Sequence, residues 1–157
     1  MHMLPDDVFR SRLQATITAL SYWRPSIADA ARIEETETGS YWKMVVAPFH
    51  AGTCPFELIL HFDQHYDLAI ADETYEGLPL ESFEQLVPFV EAISEGNVVQ
   101  RHWLSRLTGI ERAVETVVTL PGTGVWREGR GASVSVPSLE HDDGLELRER
   151  RFLPYRR

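Results

Sequence analysis

Two stretches with helical spacing, separated by a long region of strand-like alternation, constrain the fold of this chain most strongly. In the first, residues 6–22, apolar side chains recur about one helical turn apart at Phe9, Leu13 and Ile17. The second covers residues 80–95 and has an apolar stripe of the same kind. Such a stripe covers one side of a helix and has to be buried against another layer. The alternating segments supply that layer, so the sequence predicts an α+β fold.

Pro88 lies inside the second helical stretch and has no backbone hydrogen to donate to the preceding turn. We therefore expect the helix to kink there, or its first turn to be split off. Ser82 followed by Gln85 is typical of a capping box at a helix start, and Gly96 is favourable just past a helix end. These signals place the second helix between residues 80 and 95.

Two hairpins are predicted between the helices. Their strands cover residues 31–37, 41–48, 56–62 and 66–73. In the second hairpin, a three-residue turn pairs Leu60 with Leu68 and collects the apolar residues on one face of the sheet. The same register places His61 opposite Asp67 on the other face, which predicts a contact between these two polar side chains.

A longer hairpin is predicted after the second helix, followed by further strands. The segments are residues 98–107 and 110–120, a strand near 125–126, and a final pair at 132–136 and 145–153. Pairing Leu107 with Ile110 puts His102 opposite Glu115, an opposite-charge pair when the histidine is protonated. Because the apolar residues share a face in this register, the charge and hydropathy patterns indicate the same pairing.

Consecutive hairpins predict a mainly antiparallel sheet of about six to eight strands, with the two helices packed on one face. At this length the chain fits a single domain, residues 1–157. The acidic segment at 137–144 is expected to be a mobile loop, and residues 154–157 a frayed tail. A homodimer is plausible, because the sheet face that the helices leave open needs protection.

Charge is unevenly distributed along the chain, whose net charge is −9. Residues 1–100 carry 16 acidic and 5 basic side chains, whereas residues 101–157 carry 8 acidic and 10 basic ones. The acidic part should repel nucleic acid and anionic membranes, so neither is expected as a partner. The Arg-rich segment at 148–157 is expected to be solvated, the alternatives being contact with an acidic partner or with the acidic part of the same chain.

The sequence has no apolar run long enough to cross a bilayer and no signal peptide, which indicates a cytoplasmic protein. The lone Cys54 agrees with a reducing compartment, because it cannot form an internal disulfide. The strong preference for Arg over Lys suits a GC-rich bacterial genome. The Gly-x-Gly at Gly122 and Gly124 lacks the third Gly and the Lys of a phosphate-binding loop, so no cofactor is expected.

Four residues with metal-binding side chains alternate around the second hairpin turn: His61, Asp63, His65 and Asp67. On one continuous strand they would share a face, and histidine with carboxylate suits zinc or iron. The predicted turn at residues 63–65 breaks that strand, so Asp63 and His65 become turn residues. We therefore expect no metal site and keep these four residues as the alternative.

Cys54 follows His50 by four residues, and a Cys–His pair can generate a thiolate nucleophile. Gly52 and Pro55 mark the segment as a connecting loop, and no third orienting group is evident. The sequence favours a partly buried, unreactive thiol at this position, and no catalytic residue is identified.

Tryptophans at the ends of the predicted elements are the remaining candidates for a site. Trp23 ends the first helix, Trp42 lies near the start of a strand, and Trp126 follows a Gly-rich turn. Such aromatic residues can line a ligand pocket or a partner surface, or form the rim of the core.

These features favour a non-catalytic protein-binding module of the adaptor, chaperone-like or immunity type, since no catalytic set is recognisable. The order of helix, strands, helix and strands, with an acidic charge, resembles type III secretion chaperones at the level of architecture only. The alternative is a small metal- or ligand-binding enzyme that uses the His61/Asp67 hairpin or the His50/Cys54 loop.

Overall fold

A computed structural model describes residues 3–122, 124–131 and 143–156 of the chain. Two α-helices and nine strands form within these residues. The helices are α1 (Asp6–Trp23) and α2 (Leu86–Ser94), and the strands are β1 (Ala31–Glu37), β2 (Tyr41–Pro48), β3 (Phe56–His61), β4 (His65–Ile70), β5 (Glu73–Pro79), β6 (Val98–Ser105), β7 (Glu111–Leu120), β8 (Gly124–Gly131) and β9 (Leu145–Arg151). The predicted α+β class is confirmed.

The strands form two antiparallel sheets, which confirms the predicted antiparallel pairing and divides it between two layers. The first sheet has the order β1-β2-β3-β4-β5, and the second has the order β8-β7-β6-β9. In the first sheet every strand pairs with its neighbour in sequence, whereas β9 returns to pair with β6. The predicted strand at 132–136 and most of the predicted loop at 137–144 lie outside the described residues.

The second helix is split as Pro88 predicts. A 3-10 helix at Phe83–Gln85 precedes α2, which begins at Leu86 and places Pro88 in its first turn, where a missing amide hydrogen is tolerated. Ser82 makes no side-chain cap hydrogen bond, so the predicted capping box does not form.

Strand β5 is absent from the sequence-based prediction. The chain turns at Ala71, which has a φ of 52°, and β5 then runs back along β4. Two of its inward-facing side chains are Tyr75, which is buried, and Glu73, which is 6% exposed. A buried carboxylate needs a partner, and that partner is Arg130, from a strand 57 residues later in the sequence.

The second hairpin keeps its predicted apolar face but not its register. Leu60 pairs with Tyr66, and Leu58 pairs with Leu68, a shift of two residues from the prediction. A shift of two residues leaves every side chain on the same face of the sheet. The turn keeps three residues but moves by one position, to residues 62–64, and Gln64 adopts a φ of 71° within it.

The predicted register of the β6–β7 hairpin is wrong by one residue. His102 pairs with Val114, and Glu115 pairs with Arg101 instead of His102. A shift of one residue turns the side chains of β6 to the opposite face of the sheet. Leu107 and Ile110 lie in the loop between the two strands, 93% and 63% exposed. The physical reason is that the buried face is partly polar.

Polar side chains on that buried face join the two sheets. Gln100 Nε2 donates to Thr116 Oγ1 at 3.2 Å, and the hydroxyl groups of Thr116 and Tyr75 form a hydrogen bond at 2.7 Å. Because the Gln100 amide N–H and both hydroxyl groups are paired in this network, the sheet buries positions that a hydropathy pattern assigns to solvent. The first sheet, the second sheet and both helices share one hydrophobic core.

Residues 154–156 are packed against the protein, which corrects the expectation of a frayed tail. Tyr155 is 1% exposed, and its backbone N–H donates to the carbonyl oxygen of Ser94 at 2.8 Å. Arg156 binds Asp29, and Arg150 forms an ion pair with Asp72 at 3.0 Å. The Arg-rich end therefore contacts the acidic part of the same chain. No helix within the described residues combines the length and the apolar character needed to cross a membrane.

Candidate functional site

An open groove runs along the line where α1 and α2 meet, and we call it the α1–α2 groove. Its main part has a volume of about 1060 Å³, and a shallower part of about 440 Å³ continues towards the start of α1. The two parts share Ala15, Ala19 and Val87. Ala15 and Ala19 are four residues apart and therefore lie on one side of α1. Their small side chains leave the space that forms the groove.

The floor of the α1–α2 groove is largely apolar. Trp23 and Ile27 lie buried beneath it, and Val87 forms the facing side on α2. Tyr22 at the edge is 87% exposed, which is unusual for a large aromatic side chain. An apolar floor with an exposed aromatic residue at its edge is typical of a surface that binds another molecule.

Carboxylates line the α2 side of the α1–α2 groove. Glu91 lies on α2, Glu84 on the 3-10 helix before it and Glu95 directly after its last residue, and all three line the groove. None of the three forms an ion pair with another described residue. The lining residues on the opposite side include Arg12, and Arg156 at the far end is already bound to Asp29. The lining of the groove therefore has three carboxylates against two arginines, and none of the three carboxylates is paired with either arginine.

The C-terminal segment closes one end of the α1–α2 groove. Pro154, Tyr155 and Arg156 form this end wall. The hydrogen bond from the backbone of Tyr155 to Ser94 fixes the segment on the end of α2. Because the wall is anchored, the groove has a defined length and opens towards the start of α1.

The four candidate metal-binding residues do not converge. His61 Nε2 and Asp67 Oδ2 are 2.7 Å apart, and the backbone N–H of Gly77 donates to Asp67 Oδ1 at 2.8 Å. Asp63 and His65 instead contact each other, with His65 Nδ1 at 3.1 Å from the carbonyl oxygen of Asp63. The predicted His61–Asp67 contact is present. Across the described parts of the chain, no group of three such side chains is placed to hold a metal ion.

Cys54 is buried, and its surroundings disfavour a thiolate. Burial raises the pKa of the Cys54 thiol to about 12. Its Sγ lies 3.7 Å from the carbonyl oxygen of Pro55. His50 is exposed in the preceding loop, where its carbonyl oxygen accepts a hydrogen bond from Thr53. The environment is that of the unreactive thiol that the sequence favours.

Alkylation of Cys54 provides a direct check of this environment. We expect iodoacetamide at pH 8 to modify the folded protein at least about tenfold more slowly than the protein unfolded in guanidinium chloride, because the reactive thiolate is scarce and covered. Mass spectrometry of timed samples measures both rates. Equal rates would show that the thiol is accessible, and Cys54 would then be a candidate nucleophile again.

The three candidate tryptophans lie in different places. Trp23 lies under the α1–α2 groove, and Trp42 is buried in the core. Trp126 lines a separate pocket and donates its indole N–H to the hydroxyl oxygen of Tyr66 at 3.0 Å. The alanines of the groove were missed because small residues on the polar side of a helix resemble ordinary solvent-exposed positions. The exposed Tyr22 was the available signal.

Comparisons with protein families, curated proteins and solved structures give no significant match to this chain. The geometry of its surface is therefore the basis for inferring its function.

Proposed function

We propose that this chain is a non-catalytic protein-binding module that holds an amphipathic, basic helix of a partner protein in the α1–α2 groove. The observation that supports the proposal is the combination of an apolar floor with a row of unpaired carboxylates. Adaptor, chaperone-like and immunity-type proteins all act by binding another protein.

A helix is the occupant that fits the groove best. The stretch of α1 that lines the groove, from Arg12 to Trp23, is about 17 Å long at a rise of about 1.5 Å per residue. A partner helix of about three turns matches this length and presents apolar anchors at positions i, i+3 or i+4, and i+7. Packed there, it adds a third helix to the α1–α2 pair.

The carboxylates that line the α2 side of the groove indicate the chemistry of the partner. Glu84, Glu91 and Glu95 repeat along the groove, so a partner helix gains most from Lys or Arg beside its apolar stripe. Exposed pairs of this kind mainly steer association and are screened by salt. We therefore expect binding that weakens as ionic strength rises while retaining an apolar component.

Selection from a displayed library of helical peptides of about 16 residues, with the full chain as bait, tests the proposal. We expect the enriched peptides to be basic and amphipathic. Ala19→Arg should weaken their binding at least about tenfold, because it places a cation and a long side chain on the apolar floor. Gln14→Arg is the matched control, since it adds the same charge to an exposed position of α1 outside the groove. Enriched peptides that bind Ala19→Arg as well as the unchanged protein would contradict the proposal.

The alternative is a small metal- or ligand-binding enzyme. The arrangement that supports it is the contact between the His61 ring and the Asp67 carboxylate. The backbone N–H of Gly77 donates to the same carboxylate and orients it. Metal analysis of the purified protein separates the two proposals. Stoichiometric zinc or iron that is lost on His61→Ala would favour the enzyme, whereas we expect at most trace metal in both proteins.

A homodimer is a separate proposal and concerns the outer face of the first sheet. Val45, Ile59 and Ala69 are only partly covered on that face, between charged residues of both signs such as Lys43 and Glu57. A second copy would cover these apolar side chains. Light scattering that gives the mass of a monomer at high micromolar concentration would contradict it.

A further inference from the structure

A second cavity lies where β8, α2 and the segment after β5 meet, on the far side of α2 from the α1–α2 groove. Its volume is about 330 Å³, at the lower end of the range for small-molecule sites. Leu80, Phe89 and Trp126 give it apolar and aromatic walls. We call it the Trp126 pocket.

Three contacts fix the indole ring of Trp126. Its Nε1–H donates to the hydroxyl oxygen of Tyr66 at 3.0 Å. The centroid of the Phe89 ring lies 5.1 Å from that of the Trp126 ring, at an interplanar angle of 55°. The Tyr75 ring packs edge-on against Trp126, with 5.9 Å between the ring centroids. A ring held in this way presents a flat aromatic surface without having to be ordered on binding, which favours a planar ligand.

Two polar groups among the lining residues have hydrogen-bonding capacity to spare. Gln85 Oε1 is buried and has no hydrogen-bond partner in the described part of the chain. Tyr66 accepts the bond from Trp126, and burial raises its pKa, so its own O–H stays available to donate. An unsatisfied buried carbonyl oxygen is unfavourable. Oε1 is covered from solvent in this structure, and an N–H group of a ligand in the pocket would satisfy it once the Gln85 amide turns towards the cavity.

The charges around the Trp126 pocket are negative. Glu81 is exposed at the lip and forms no ion pair with another described residue. Glu128 lies close enough for its charge to raise the pKa of Tyr66. An anionic ligand would be repelled by both carboxylates, whereas a neutral or cationic one would not.

We infer that the Trp126 pocket binds a planar aromatic molecule that carries an N–H donor and no negative charge. The flat indole surface favours a planar aromatic ligand. The unsatisfied Gln85 carbonyl oxygen favours an N–H donor, and the neighbouring carboxylates disfavour a negative charge. The site is separate from the α1–α2 groove, and it does not depend on the function proposed for the groove.

Titration of the full-length protein with indole and with indene tests the inference. The two probes have nearly the same shape, but indene lacks the N–H group. We expect indole to bind with a Kd on the order of 0.1–1 mM and indene at least about fivefold more weakly. Indole-3-acetate, which adds a negative charge, should also bind more weakly than indole. Nitrogen-15 NMR follows the Trp126 side-chain N–H signal, which is assigned by its loss in Trp126→Phe.

Gln85→Leu removes the carbonyl oxygen at similar size and is expected to reduce indole binding to the level of indene. Ala19→Arg, which alters only the groove, should leave indole binding unchanged. No saturable indole shift up to several millimolar, or equal binding of indole and indene to the unchanged protein, would overturn the inference. The comparison of the two probes on the unchanged protein remains valid even if Gln85→Leu proves unstable.

Discussion

Replacement of Tyr155 by alanine is expected to lower the free energy of unfolding by about 3–5 kcal/mol, the range for truncating a buried large aromatic residue. Tyr155 is 1% exposed although it is the third residue from the end of the chain. Its hydroxyl donates to the carbonyl oxygen of Cys54, and its backbone N–H donates to Ser94. The side chain therefore joins the C-terminal segment to the loop before β3, while the backbone joins it to the end of α2.

Two further variants separate the contributions of Tyr155. Tyr155→Phe keeps the ring and is expected to cost about 1–2 kcal/mol, because the Cys54 carbonyl oxygen loses its donor. Leu153→Ala is the control in the same segment, since Leu153 is 43% exposed, and its cost should stay below about 1 kcal/mol. Urea denaturation followed by circular dichroism measures all three. An unfolding free energy for Tyr155→Ala within 1 kcal/mol of the unchanged protein would mean that the tail is frayed after all.

The second large effect is expected for Arg130→Ala, at about 2–3 kcal/mol. Arg130 makes two hydrogen bonds to Glu73, of which the longer, from Nη2, measures 3.1 Å. Glu73 is 6% exposed, so removal of the guanidinium leaves a buried carboxylate without its partner. The expected cost is below the 3–5 kcal/mol range for a fully buried pair, because the Arg130 side chain is 51% exposed.

Arg127→Ala is the matched control for Arg130→Ala. Arg127 also lies on β8 and faces a buried glutamate, Glu115, but Arg101 binds the same carboxylate at 3.1 Å. Because Glu115 keeps a partner, we expect a cost below about 1 kcal/mol. Adding Glu73→Gln to Arg130→Ala should recover at least about 1 kcal/mol by removing the unpaired charge. Equal costs for the two arginines would show that Glu73 does not depend on Arg130.

The helices and the local hairpins could be predicted from the sequence because their signals are short-range. The apolar stripe of α1, the proline in the first turn of α2 and the alternation of β1 and β2 are all visible within about 15 residues. The split of the second helix followed directly from the missing amide hydrogen of Pro88.

Strand β5 and the β6–β7 register could not be predicted because their polar residues are buried by partners distant in sequence. Glu73 resembles part of a solvated acidic run until Arg130 is placed beside it. Gln100 and Thr116 resemble surface positions until Tyr75 closes the hydrogen-bond network. Hydropathy patterns assume that polar side chains face water, and both errors come from places where that assumption fails.

The candidate site was equally hidden from the sequence. The α1–α2 groove exists because Ala15 and Ala19 are small and Val87 stands opposite, and a sequence pattern does not show which helix faces meet. The histidine and cysteine motifs drew attention because their chemistry is recognisable from residue type alone. The tryptophans were the better guide, since Trp23 and Trp126 line the two cavities described above.

Mapping where a selected basic peptide binds tests the central proposal most directly. Backbone amide chemical shifts of the nitrogen-15-labelled full chain are recorded as the peptide is added. The proposal predicts that the largest changes lie along α1 from Ala15 to Tyr22 and along α2 from Val87 to Glu95. Changes confined to the outer face of the first sheet, around His61 and Ile59, would contradict it.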